Sequence, residues 1–221
     1  MERAWELWIE SFPLLLGATL KVTLPLALVS FVFALILGTL TALVRHGRVP
    51  VLSQIAAFYV WVFRGTPLLV QLFIVFYGLP KVGLVLEAWT AAIVTLSLNT
   101  GAYASEAIRA SISSIPIGQW EAGATLNLSH GQVLRKVIAP QAFRIALPPL
   151  GNDFIDLVKG TSLVSTITIA EVFMTGQQIA SRTFEPLILY VEVAAIYLVI
   201  NTLLTFVQSQ LEKRSSLYIQ R

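Results

Sequence analysis

VTLPLALVSFVFALILGTLTALV, Val22 to Val44, runs without a charged residue. As an α-helix it is about 34 Å long, enough to cross the ~30 Å hydrocarbon core of a bilayer. Lys21 stands at its start, where its ammonium reaches the headgroups while its stem stays in the apolar layer. Arg45-His46-Gly47-Arg48-Val49-Pro50 ends it with a basic turn. Composition extends the membrane reading to the whole chain. Of 221 residues, 56% are hydrophobic and 12% charged, roughly half the charge of a soluble domain. So few charges cannot clothe a water-facing surface, and lipid must cover much of the outside. The expected class is an all-α integral membrane protein.

Cysteine is absent, which excludes disulfides, thiolate metal sites and a cysteine nucleophile. His46 and His130 are far apart in polar stretches, so no haem or zinc site is expected. The net charge of +3 fits basic cytoplasmic loops better than nucleic-acid binding.

Before the first span, Glu2, Glu6 and Glu10 are wrong for the basic leader of a signal peptide. This stretch reads as an amphipathic segment lying at the outer interface. After the span, the apolar run from Val51 to Pro80 is interrupted by Arg64-Gly65-Thr66-Pro67. Val51–Phe63 is expected to run along the cytoplasmic interface and Leu68–Leu79 to complete a second crossing, placed at 64–80. A third span, 89–110, holds Asn99, Tyr103 and Glu106. A polar loop follows, centred on 115–135. Two short helices are expected in it, separated near Asn127, because Asn tolerates the left-handed conformation that ends a helix. Ser129 with Gln132 three residues on is a capping-box signature. The fourth crossing, 137–158, carries Pro140, Arg144, Pro148, Pro149, Asn152, Asp153 and Asp156. An ionised residue at mid-bilayer costs roughly 2.5–3.5 kcal/mol on insertion scales, so this segment must face protein or water. Its prolines predict broken helix. An outer segment from 160 to 185 with a short helix precedes the fifth span, 187–207. Arg45, Arg48, Arg109, Arg135, Lys136, Lys213, Arg214 and Arg221 fall on one side, against Arg3, Lys21, Lys81, Lys159 and Arg182 on the other. By the positive-inside rule the N-terminus is expected outside and the C-terminus inside.

Gln119-Trp120-Glu121-Ala122-Gly123-Ala124-Thr125-Leu126-Asn127, continuing to Ile138-Ala139-Pro140, resembles the cytoplasmic "EAA" loop of binding-protein-dependent ABC importer permeases. Five further blocks look like the polar amino acid branch of that family: Phe63 to Leu68, Ser97 to Tyr103, Pro140 to Ala142, Leu147 to Asn152 and Lys159 to Leu163. They occur in matching order. The chain departs from the pattern at Gly123, where the family has Ala, at Asn127, where it has Gly, and at Gly160, where it has an acidic or amide residue. A tight helix exit accepts both Gly123 and Asn127.

The resemblance implies a type I importer fold in a bacterial cytoplasmic (inner) membrane, with residues 1–221 forming one permease domain. It implies two cytoplasmic ATPase subunits, an extracytoplasmic solute-binding protein and an amino acid cargo. The loop helix becomes a coupling helix docked on the ATPase through Glu121, Ala122, Gly123 and Asn127. The bland alternative is a solvated loop whose Glu121 faces water. No phosphate-binding Gly-x4-Gly-Lys-Ser/Thr pattern is present, so ATP and Mg²⁺ belong to the partner and the chain is not itself an enzyme. Five spans are too few to enclose a pathway, which calls for a second permease subunit, identical or paralogous.

Asn99, Tyr103 and Glu106 fall at i, i+4 and i+7 on one helical face, a candidate cargo lining. Equally, Asn99 serves to hold helices together and Glu106 to pair with Arg109. On the fourth crossing, Asn152, Asp153, Asp156 and Lys159 lie near one stripe. Asp156 and Lys159 are placed to neutralise each other, whereas Asp153 has no opposite charge three or four positions away. Asn99, Tyr103, Glu106, Asn152 and Asp153 are therefore the substrate-binding candidates. Their carboxylates and amides favour a cationic amino acid such as arginine, lysine or histidine, with cystine or glutamine as alternatives. Arg64 reads chiefly as an anchor at the inner leaflet. The rival function is a proton-coupled secondary transporter or channel, which intramembrane Asp153, Asp156 and Glu106 would also suit.

Overall fold

A computed structural model describes residues 2–47 and 49–216. Arg48, Arg221 and the Glu2 side chain, used above, lie outside the described residues. Every regular element among the described residues is helical. Helix α1 (Glu2–Ala18) passes through a π-helical turn, Thr19–Thr23, into α2 (Leu24–His46). The two form one helix, Trp5–His46, of 42 residues, about 63 Å long. The N-terminal segment is thus not a separate interfacial helix but a continuation of the first span. Pro25 sits in the first turn of α2, where its missing N–H is most easily accommodated.

Helix α3 (Leu52–Gly65) is followed by α4 (Leu68–Phe73), which continues through a π turn and a 3₁₀ turn to Val82. The two stretches are bent by 109°. Pro67 holds Thr66 extended, at φ −124° and ψ 147°. The 64–80 span is therefore one arm of a bent pair. Helix α3 packs against the middle of α5 (Ala88–Ser113). Its Tyr59 hydroxyl donates to Leu98 O at 2.6 Å. Gln71 repairs the break: its amide nitrogen donates to Phe63 O at 2.9 Å and Thr66 O at 3.0 Å.

Two short helices, α6 (Ile117–Thr125) and α7 (His130–Val133), form the polar loop. A π turn, Leu134–Ile138, leads to α8 (Ala139–Gly160). The expected break at Pro148 and Pro149 is absent, and the helix runs through both. Helix α10 (Pro186–Ser216) packs against this stretch, its Gln208 amide donating to Pro148 O at 3.1 Å. The chain changes direction later instead. After a 3₁₀ turn, Thr161–Ile167, α9 (Val172–Thr183) departs at 51°. Glu171 is fully buried and caps α9, accepting from Phe173 N at 2.9 Å and Met174 N at 2.8 Å.

The central contact is α2 on α5, and it is made by small residues. Ser30, Ala34, Gly38 and Ala42 are buried on α2, as are Ser97, Gly101 and Ser105 on α5, each row at four-residue spacing. A Cβ on Gly38 would lie 3.0 Å from both Ala104 Cβ and Gly101 O. Small residues let helix backbones approach where hydrophobic burial gives no drive. The exterior is the reverse of a water-soluble protein's. Trp61 is 71% exposed and Leu198 69%, while Glu171 and Glu192 are at 0%. Among the described residues, two helices are long and apolar enough to cross a membrane, or up to four if each bent pair is one span. Helix α5, of 26 residues, has the length but is diluted by Ser, Thr and Asn.

Candidate functional site

Helices α5 and α8 and the start of α4 enclose a cavity of about 300 Å³, at the small end of ligand pockets. Asn99, Thr100 and Tyr103 line it from α5, Asp153 and Asp156 from α8, and Leu68 from α4. Asn99 also braces the α3–α4 break, its amide nitrogen donating to Gln71 Oε1 at 3.0 Å and Phe63 O at 3.3 Å. Both readings of Asn99 therefore hold together: one end of the amide ties helices, while the side chain still faces the cavity. Asp156 pairs with Lys159 at 2.6 Å. Asp153 Oδ2 is buried and has no hydrogen-bond partner. An oxygen so placed calls for a donor, and its residue also lines the cavity.

Glu106 and Asn152 are held elsewhere. Glu106 is bound by Arg45, by Arg109 at 2.9 Å and more loosely by Arg64 at 3.9 Å. Three guanidinium groups on one carboxylate leave the cluster with surplus positive charge. Asn152 Oδ1 accepts from Gln208 of α10 at 3.2 Å, away from the cavity lining. A Cβ on Gly151 would meet Gln208 Cδ at 2.6 Å, so α8 and α10 are in close contact there. Arg64 reaches α5. It follows Phe63, which touches Asn99, and its guanidinium carbon lies 5.2 Å from the Tyr103 ring centroid.

The polar loop is built as a stiff bracket. Asn127 takes φ 57°, and Leu128 N returns to Gly123 O at 3.2 Å, closing α6. The Ser129–Gln132 capping box opens α7. Trp120 stacks between His46 at 5.7 Å and His130 at 4.9 Å, which ties α6 to the end of α2. Gly123 is buried inside α6 rather than at its exit, and a Cβ there would come within 2.6 Å of Val133 Cγ2. Glu121 and Ala122 face outward, beside Ile117 at 71% and Leu126 at 74% exposure.

The profile of the family described as "binding-protein-dependent transport system inner membrane component" matches residues 34–217. The chain belongs to that family. It is thus an inner-membrane transport component, and the matched range takes in all six blocks read from the sequence. The L-cystine transport system permease protein TcyB of Bacillus subtilis is 47% identical over 98% of this chain and 93% of its own length. The glutamine transport system permease protein GlnP of Escherichia coli is 36% identical over 97% of this chain and 98% of its own. A crystal structure of an amino acid ABC transporter with histidines superposes with a TM-score of 0.88. It is 34% identical and covers 93% of this chain and 96% of that one.

For a transport component, the residues missing from the sequence reading matter as much as those it named. Thr100 lines the cavity and was indistinguishable from its neighbours on α5. Gln71 is the one polar side chain in Leu68–Phe73, a signal that was available. Arg45 meets Glu106 across 61 positions, and nothing local marks that pairing.

Proposed function

We propose that this chain is the membrane-spanning subunit of an ATP-driven ABC importer of type I fold that carries a polar amino acid delivered by an extracytoplasmic binding protein. Five crossings are inferred: α2, the α3–α4 pair, α5, α8 with its 3₁₀ extension, and α10. The N-terminus is outside and the C-terminus inside. Residues 1–221 act as one permease domain and pair with a second permease subunit, identical or paralogous. The observation that carries the reading is a cavity holding the unpartnered Asp153 oxygen, on helices α5 and α8, which the exposed α6–α7 bracket joins directly.

A motor's stroke at α6 would then reach one cavity wall through α5 and the other through α7, the π turn and α8. Glu121, Ala122, Gly123 and Asn127 form the ATPase-coupling element. Two ATPase subunits supply ATP hydrolysis with Mg²⁺, and none is assigned to this chain. Asn99, Tyr103 and Asp153 are the cargo contacts. Asn152 and Glu106 stand behind them as braces. A cavity with unneutralised carboxylate suits an ammonium or guanidinium, which favours arginine, lysine or histidine, with cystine and glutamine as the alternatives that the relatives' names offer. A proton-coupled secondary transporter is the weaker reading, because family membership points to a binding-protein-dependent system.

The test is uptake in proteoliposomes containing this chain, its ATPase and its binding protein. Glu121→Lys is expected to reduce ATP-driven uptake by at least tenfold and to weaken ATPase copurification, with membrane insertion intact. Unchanged uptake and ATPase binding would remove the coupling assignment. Uptake driven by a proton gradient without ATP would replace the importer by the rival.

A further inference from the structure

Glu106 gathers more positive charge than it needs. Arg45 holds one of its oxygens and Arg109 the other, which already exceeds a single negative charge. Arg64, the third, stands at 3.9 Å with 44% of its side chain exposed, beyond hydrogen-bond reach. Its guanidinium lies over the face of Tyr103, a wall of the cavity. Position is not accidental here. Phe63 O, one residue before, is fixed by both Asn99 and Gln71, and these bonds pin the end of α3 halfway along α5.

Across the cavity, Asp156 is neutralised by Lys159, while Asp153 Oδ2 has no partner. One wall thus offers a surplus cation over Tyr103 and the other an unmatched carboxylate. That is the charge pattern of an amino acid zwitterion, reversed.

We propose that Arg64 is the carboxylate-reading residue of the cavity: it takes the α-carboxylate of the cargo while Asp153 takes the α-ammonium. The site then accepts α-amino acids and rejects the amines that lack the carboxylate. This rests on the transport reading above and adds a residue and a selection rule to it. A guanidinium presents a planar fork that matches a carboxylate in two parallel bonds. Leaving Glu106 costs Arg64 little, since the existing contact is long and partly exposed and Glu106 keeps two partners. The Tyr103 ring supports the guanidinium in either position.

The experiment uses this chain copurified with its ATPase. Binding of radiolabelled L-arginine, L-glutamine and L-cystine is competed by each amino acid and by its decarboxylated amine: agmatine, 4-aminobutanamide and cystamine. The wild-type complex is expected to prefer at least one amino acid over its amine. Arg64→Gln should weaken that amino acid by on the order of tenfold to a hundredfold, the range of a charge-assisted hydrogen bond, and leave the amine unchanged. Arg64→Lys keeps the charge and should keep part of the preference, which preserves the test if the glutamine variant does not fold. Equal weakening of acid and amine, or an unchanged preference, overturns the role of Arg64 alone. Failure of the wild-type complex to bind any of the three amino acids overturns the transport reading itself.

Discussion

Asp153 and Glu106 are both carboxylates inside the bundle, and the structure treats them oppositely. Glu106 is matched by arginines from α2, α3 and its own helix, whereas Asp153 keeps a buried oxygen with no partner. A buried polar atom left unpaired costs free energy, so Asp153 is held at the expense of stability. Asp153→Asn should leave the unfolding temperature in detergent unchanged or raise it by a few degrees, while uptake of the cargo falls. A variant that lost stability and kept uptake would make Asp153 structural. Glu106→Gln should do the reverse to the fold, stranding three guanidinium groups and lowering stability by about 1–3 kcal/mol, read in the same unfolding assay. The sequence showed half of this contrast. The lack of an opposite charge at three or four positions singled out Asp153, and Arg109 at three positions explained part of Glu106. Arg45 and Arg64 come from other helices, and no local spacing reports them. Asn152 was misleading for the same reason, since its partner, Gln208, is 56 positions away.

Proline does not by itself decide where a helix ends here. Pro67 coincides with a 109° break, where Gly65 and Thr66 precede it and Gln71 collects the freed oxygens. Pro148 and Pro149 lie inside a continuous α8, which Gln208 of α10 contacts at Pro148 O. Proline alone read as a break in both places, and residue type did not separate the two. Turn chemistry was more legible. Asn127 in the left-handed region and the Ser129–Gln132 box follow from residue type and spacing. The cause of Gly123 did not, because its neighbour is Val133 on the next helix. The related pattern has alanine at this position, yet a Cβ here would overlap Val133. Gly123→Ala should therefore cost about 1–3 kcal/mol through overpacking and lower ATP-driven uptake with it. Val133→Ala in the same chain should restore both. Rescue of neither would mean that the α6–α7 contact does not set the bracket's geometry.

Across the whole molecule, the cavity wall and the coupling bracket share α5, and α5 is seated on α2. That seat is a groove of small residues, with Ser30, Ala34, Gly38 and Ala42 facing Ser97, Gly101 and Ser105. Both rows were present in the sequence at four-residue spacing. A reading that followed charge, proline and apolar length passed over them, since small residues carry none of those signals. The α2–α5 contact also sets the depth at which Arg45 meets Glu106, so the seat and the ion cluster form one unit. Gly38 is the tightest point, since a methyl group there would lie 3.0 Å from Gly101 O and 3.2 Å from Ser105 N. Backbone atoms cannot rotate aside as a flexible side chain can. Gly38→Ala should then push the helices apart, lower stability by about 1–3 kcal/mol, and loosen the Glu106 cluster. Gly17 lies in the same long helix with nothing within 4 Å of its Cβ position. Gly17→Ala is expected to be neutral or stabilising by up to about 1 kcal/mol. Thermal unfolding of the two variants in detergent measures the difference, and equal midpoints would show that the α2–α5 seat does not hold the bundle together.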